Sequence, residues 1–264
     1  MKVNDIIKIL EELAPRSYAE SWDNPGLLVG RRDAHTDCIY VALDATEDAV
    51  FAAKECGAQL LLTHHPMIFS PLKQINDDDF IGRRVLDMIS SGINYYAMHT
   101  NFDVAKMAEL AADRLELCSR EVLEVTVLPG ACGNEAPMGI GCAGRLPREM
   151  SVEACADFVK DVFDIPNVKI FGDLSRKVSR AAVCPGSGKH MTGYAIARGC
   201  DVLITGDIDH HEGIDAVSQG IAIIDAGHHG IEHIFVEFMT QYLNERLSGV
   251  RIVAEENRPP FSVV

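Results

Sequence analysis

Apolar residues recur at helical spacing in Ile6, Ile7, Leu10 and Leu13, which predicts a first helix capped by Asn4 and stopped before Pro15. Ser21-Trp22-Asp23-Asn24-Pro25-Gly26 then reads as a turn leading into a short strand at Leu27 to Gly30. From there strands and helices alternate. Ile39 to Leu43, Gln59 to Thr63 and Ile93 to Met98 have the unbroken apolar character of buried strands. Thr46 to Cys56, Phe80 to Ile89 and Val104 to Leu115 have helical periodicity. The alternation predicts an α/β sheet with parallel strands.

Residues 118 to 150 break the rhythm with Pro129, Gly130, Gly133, Pro137, Gly139, Gly141, Gly144 and Pro147, and a domain boundary or crossover is expected there. Beyond it come a helix at Ser151 to Phe163 and strands at Val178 to Cys184, Asp201 to Thr205 and Ile221 to Asp225. Helices are expected at His190 to Arg198, His210 to Ser218 and Ile231 to Leu247, with a last strand at Val250 to Ala254. The second half reads as a repeat of the first. Gly57-Ala-Gln-Leu-Leu-Leu-Thr63 has its counterpart in Gly199-Cys-Asp-Val-Leu-Ile-Thr205, and Gly92 to Met98 in Gly220 to Ala226. The expected architecture is two related α/β domains, 1–118 and 119–264, with a metal site in the cleft between them.

Composition narrows the function. The chain has 264 residues, 47% of them hydrophobic, enough for one large or two modest cores. Its formal charge is −15 with no Lys/Arg cluster, which argues against a surface that tracks nucleic-acid phosphates. No apolar run approaches the roughly 20 residues of a membrane span, and the N-terminus has no basic and apolar leader, so a cytoplasmic protein is expected. Cys38, Cys56, Cys118, Cys132, Cys142, Cys155, Cys184 and Cys200 are scattered without a C-x-x-C pair. They read mostly as buried core thiols.

The chemistry collects at strand ends, where α/β sheets bind ligands. Leu61-Leu62-Thr63-His64-His65-Pro66 ends one strand in two imidazoles. Neighbouring histidines approach from different angles, which suits two ions better than one. The next strand ends in His99-Thr-Asn-Phe-Asp103, and its second-half counterpart in His228-His-Gly-Ile-Glu232. Residues four apart share a helix face, so His228 can converge with Glu232, and the same spacing holds for His99 and Asp103. Imidazoles with carboxylates suit Zn, Mn, Fe or Ni better than Mg or Ca. Asp207 and His211, after the strand that matches Thr63-His64-His65, are expected to touch ligands or substrate. Pro185-Gly-Ser-Gly-Lys189 lacks the spacing of a phosphate loop. Trp22 reads as a loop-packing residue rather than one that recognises a base.

Ser21-Trp-Asp-Asn-Pro-Gly-Leu-Leu-Val-Gly30, Thr63-His-His-Pro66, His99-Thr-Asn-Phe-Asp103, Thr205-Gly-Asp-Ile208 and Asp225-Ala-Gly-His-His-Gly-Ile-Glu232 resemble, in this order, the motifs of the GTP cyclohydrolase I type 2 homolog family, also called NIF-three-like. The resemblance runs from about residue 4 to about residue 250. It implies two α/β domains, a dinuclear site and a ring-shaped homohexamer. By motif it assigns His64, His65, Asp103, His228 and Glu232 as metal ligands, with Glu232 bridging two divalent ions. His229 and Ile231 stand where the family often has an aromatic residue and Thr. A metal-dependent, GTP cyclohydrolase-like hydrolase is the implied activity, acting on a small anionic substrate, with His99 and His211 as proton carriers. The rival reading is a metal-containing regulatory protein without catalysis, which a saturated ligand shell would favour.

Overall fold

The computed structural model describes residues 1–130 and 135–262. Elements follow the chain as α1 (Val3–Leu13), β1 (Gly26–Val29), β2 (Cys38–Ala42), α2 (Glu47–Glu55), β3 (Leu60–Thr63), α3 (Phe80–Ser90), β4 (Asn94–Ala97) and α4 (Thr100–Phe102). A π-helical turn, Asp103–Met107, leads to α5 (Ala108–Arg114), β5 (Cys118–Val127), β6 (Met138–Ser151), α6 (Val152–Phe163), β7 (Lys169–Phe171) and β8 (Lys177–Ser187). Then come α7 (Met191–Ala197), β9 (Val202–Gly206), α8 (His210–Ser218), β10 (Ala222–Asp225), α9 (His228–Glu232), α10 (Ile234–Arg246) and β11 (Arg251–Ala254). Among the described residues no helix is long and apolar enough to cross a membrane.

The chain divides into two compact units, Met1–Phe102 with Phe235–Asn257, and Asp103–Ile234 with Arg258–Val264. The expected division after residue 118 is therefore displaced. The first unit ends sixteen residues earlier in the α4 turn, and most of α10 with β11 belongs to it, because β11 pairs in parallel with β2. Backbone pairing between distant segments made that assignment, and no local composition announces it.

The first unit holds a five-stranded sheet in the order β1-β4-β3-β2-β11. Neighbours β4, β3 and β2 run parallel, and β1 runs antiparallel to β4. Leu60, Leu61 and Leu62 are fully buried, as strands covered on both faces require. Thr46 caps α2, its hydroxyl accepting the Ala49 N–H at 3.0 Å, and Asp79 caps α3 through Ile81 and Gly82. Asn4 does not cap α1. The helix starts one residue before it, at Val3, after an extended Lys2 bridged to His35, and buries Val3, Ile6, Ile7 and Leu10.

The second unit holds a six-stranded sheet, β5-β6-β8-β9-β10-β7. Strands β8, β9 and β10 run parallel, and β7 lies antiparallel on β10. This repeats β2, β3, β4 and β1 of the first unit, so the duplication read from the sequence holds in the topology. The stretch expected as a crossover is instead the long antiparallel pair β5–β6. Gly133 lies outside the described residues, but Gly139, Gly141 and Gly144 belong to the sheet: a Cβ on Gly139 would stand 1.8 Å from the Glu124 carbonyl oxygen, and Gly141 has φ +71°. Glycine here marks close backbone approach rather than a linker. Cys38, Cys142, Cys155, Cys184 and Cys200 are buried as expected, Cys118 is exposed, and Cys132 lies outside the described residues.

Candidate metal centre

In the first unit the potential ligands stand at the C-terminal ends of β3 and β4. The strand β3 stops at Thr63, and the N–H groups of His64 and His65 turn to the Leu43 carbonyl at 3.2 and 3.1 Å. The Thr63 and Tyr95 hydroxyls both donate to the His65 carbonyl at 2.8 Å, and the Tyr95 oxygen accepts the Met67 N–H at 2.8 Å. Burial pushes the Tyr95 hydroxyl up to about 12, outweighing its bonds with Thr63 and Met67, so it stays a donor at neutral pH. These bonds hold the turn so that both imidazoles serve one place. His64, His65 and His99 each offer a ligand atom, all within 4.8 Å of one another. His64 is fully buried, its ring 5.3 Å from Phe235 and 6.2 Å from Phe102 between centroids.

Each of these rings is tethered on its other side. His64 Nδ1 lies 2.7 Å from the Met98 carbonyl, His65 Nδ1 2.8 Å from Asp44 Oδ1, and His99 Nδ1 2.8 Å from Asp23 Oδ1. Such acceptors make Nδ1 the protonated nitrogen and leave Nε2 as the basic, ligating one. Asp23 is an unusually fixed acceptor. Burial alone would raise its pKa, but bonds from His99 and Thr100, the His99 charge and the Asn24 N–H bring it down to about 2.

In the second unit, α9 carries His228 and Glu232 one turn apart, with Nε2 and Oε2 at 3.1 Å, as the four-residue spacing predicts. Asp207, which follows β9 with φ +53°, accepts from His228 Nδ1 at 2.8 Å. Of the two residues expected to touch ligands or substrate, Asp207 is the one bonded to His228. His211 stands near the start of α8, exposed and edge-on to His210, and among the described residues it makes no hydrogen bond to His228 or Glu232. Asp103 opens the π-helical turn, a geometry that recurs at functional sites. A carboxylate oxygen of Asp103 lies within 4.8 Å of one on Glu232.

Gly186, in the glycine run after Cys184, makes room for this group. It has φ +76°, and a Cβ there would stand 2.4 Å from Glu232 Oε1 and 3.6 Å from His228 Nε2. Cys184, two residues earlier, is buried. Desolvation pushes its thiol up, and the Asp103 and Glu232 carboxylates push it further. Two carboxylates held this close in a shielded place call for a cation.

The residues fit divalent ions: imidazoles presenting Nε2 with tethered Nδ1, and paired carboxylates, match the donors of Zn, Mn, Fe or Ni. Sequence reading found the ligand candidates and Asp207. It missed Asp23 and Asp44 as the groups that orient His99 and His65. Asp44 carried a signal, since it follows the end of β2, whereas Asp23 sits in an irregular turn with none.

Comparison with known proteins gives the family. The family model described as Duf34/NIF3 (NGG1p interacting factor 3) matches residues 1–260. A Clostridium perfringens (strain 13 / Type A) protein named "GTP cyclohydrolase 1 type 2 homolog" is 34% identical over 268 residues, covering 100% of both chains. A protein of the same name from Clostridium acetobutylicum is 35% identical, covering 99% of this chain and 98% of its own. The solved structure of a Bacillus cereus protein related to NIF3 superposes with a TM-score of 0.92 at 26% identity, covering 100% of this chain and 99% of that one. With its motifs, its paired sheets and a match over nearly its whole length, this chain belongs to the Duf34/NIF3 family.

Proposed function

We propose that the protein is a dinuclear metal-dependent hydrolase acting on a small phosphate-bearing substrate, with a nucleotide as the first class to test. The observation that carries the reading is the common tether: His64, His65, His99 and His228 each have Nδ1 on an oxygen acceptor, so in each Nε2 is the nitrogen left to ligate. By the family resemblance, the residues that would hold the ions are His64, His65, Asp103, His228 and Glu232.

Bound divalent ions supply an acidified water and positive charge for an oxyanion. The chain's own residues do the rest. Met98, Asp44 and Asp207 aim three of the imidazoles. Phe102 and Phe235 shield His64 from water, which strengthens electrostatic interactions there. Of the two histidines expected to carry protons, His99 is the one held beside His64 and His65, and Asp23 keeps its proton on Nδ1, so Nε2 is the atom that takes and returns a proton. The names of the relatives put GTP first among substrates to assay. By resemblance the working assembly is a homohexamer, which sedimentation velocity measures directly.

The test is metal content per chain, wild type beside Glu232→Ala, followed by a nucleotide turnover screen. About two ions in the wild type and a clear loss in the variant support the bridged pair. A protein that takes up no ion after incubation with Zn, Mn, Fe or Ni overturns the reading.

A further inference from the structure

The turn at Ser21–Asn24 and the segment after His65 bring two aromatic side chains together at the surface. Trp22 is 58% exposed and Phe69 48% exposed, yet their rings stack with centroids 5.8 Å apart and planes 26° from parallel. Large exposed aromatics are costly to leave in water. Trp22 packs on a residue of another loop, as its sequence context suggests, and still leaves more than half of its surface open.

The pair is built rather than incidental. The Asn24 side-chain amide donates to the Ile68 carbonyl at 2.7 Å and ties the two segments together one residue from Phe69 and two from Trp22. On one side, buried Asp23 anchors the Trp22 turn to Thr100, whose hydroxyl donates at 2.5 Å and whose N–H donates at 3.0 Å. On the other, Tyr95 holds the Met67 N–H. His99 stands edge-on to both rings, at 6.1 Å from Trp22 and 6.0 Å from Phe69 between centroids. Thus an exposed, preorganised aromatic stack ends against one of the three clustered imidazoles.

We infer that Trp22 and Phe69 form a stacking platform for a planar heteroaromatic ring of the substrate, placed so that the ring's edge meets His99. This names the substrate class of the hydrolase reading and rests on it. A flat ring extends an existing stack without rearranging it, and a fixed platform loses little conformational freedom on binding. A second protein is the weaker occupant. The neighbouring stretch carries exposed Lys73 and Gln74, and two rings fall far short of the roughly 1,200 Å² of a stable interface.

Trp22 is the chain's only tryptophan, so its fluorescence reports on the platform alone. Chelator-treated and metal-loaded protein are titrated with guanosine 5′-monophosphate, adenosine 5′-monophosphate and ribose 5-phosphate, with emission followed on excitation of the indole. Both nucleotides should quench saturably, because base stacking tolerates different bases, and ribose 5-phosphate should not. Phe69→Ala should weaken the nucleotide midpoints by about tenfold, the scale of losing one base–aromatic stack, with metal content and oligomeric size unchanged. The platform is overturned if neither nucleotide quenches, if Phe69→Ala binds them as the wild type does, or if Phe69→Ala instead dissociates the assembly. Because quenching is read without metal as well as with it, a protein that stacks nucleotides yet takes up no ions would sink the hydrolase reading and spare the platform as a binding site. One that takes up ions without quenching would do the reverse.

Discussion

Asp23 and His99 are joined at 2.8 Å, Oδ1 to Nδ1, and the carboxylate that makes the bond has a fully buried side chain. One residue of an irregular turn thereby sets the tautomer of a histidine far along the chain, and its neighbour Trp22 stacks beside that same ring. Orientation of the imidazole and placement of the aromatic stack are a single piece of construction.

This pairing has a pH signature. The Asp23 pKa falls from 3.8 to about 2 on folding. A lowered folded pKa contributes stability above the unfolded value and loses it as pH falls toward the folded one. Asp23→Asn should thus cost roughly 1 kcal/mol at pH 7, the shift at 1.36 kcal/mol per unit reduced for solvent screening. The difference from the wild type should shrink between about pH 4 and pH 2. Urea unfolding of metal-free protein across that range measures it. A constant deficit at every pH would mean that the charge of Asp23 contributes nothing.

Asp44 and Asp207 bind no ion in the proposed set, yet each holds a candidate ligand histidine at 2.8 Å. Asp44→Ala and Asp207→Ala should each weaken zinc affinity by about 10- to 100-fold while leaving every ligand in place. Competition against a chromophoric chelator gives the constants. Unchanged affinity in both variants would show that the tethers do not orient the rings.

Gly186→Ala should disturb Glu232 directly, since the added Cβ would lie 2.4 Å from Oε1. Gly199 is the control: it also has positive φ, at +67°, but nothing lies within 4 Å of an added Cβ. Both alanines pay the left-handed backbone strain of roughly 1 kcal/mol. Loss of bound metal should follow only the change at Gly186. Equal metal content in the two proteins would count against the crowding argument.

The cysteines should separate by burial. Cys118 is exposed and Cys184 is buried with its thiol pushed up by desolvation and by the Asp103 and Glu232 carboxylates. Iodoacetamide acts on the thiolate. Under native conditions peptide mass spectrometry should find Cys118 alkylated and Cys184 protected until the protein is denatured. Early modification of Cys184 would show that its surroundings open readily.

Much of this protein is legible along the chain because its logic is local. Buried parallel strands such as Leu60–Thr63 are apolar without a break, and the candidate ligands His64 and His65 stand just past a strand end. The four-residue step from His228 to Glu232 is a helix turn in the sequence and in the fold alike. The repeated half follows from the repeated order of strand, Gly and Thr. What the tertiary structure alone decided depends on residues remote in sequence. β11 adds to β2, so the end of the chain belongs to the first unit. The glycines of β6 accommodate β5 and were misread as a boundary, because composition cannot separate a flexible glycine from a crowded one. Asp23 meets His99, and Trp22 meets Phe69, through side-chain packing that has no periodicity to betray it. Periodic burial writes the framework into the sequence, whereas the orientation of reactive groups comes from long-range hydrogen bonds that only the folded chain can form.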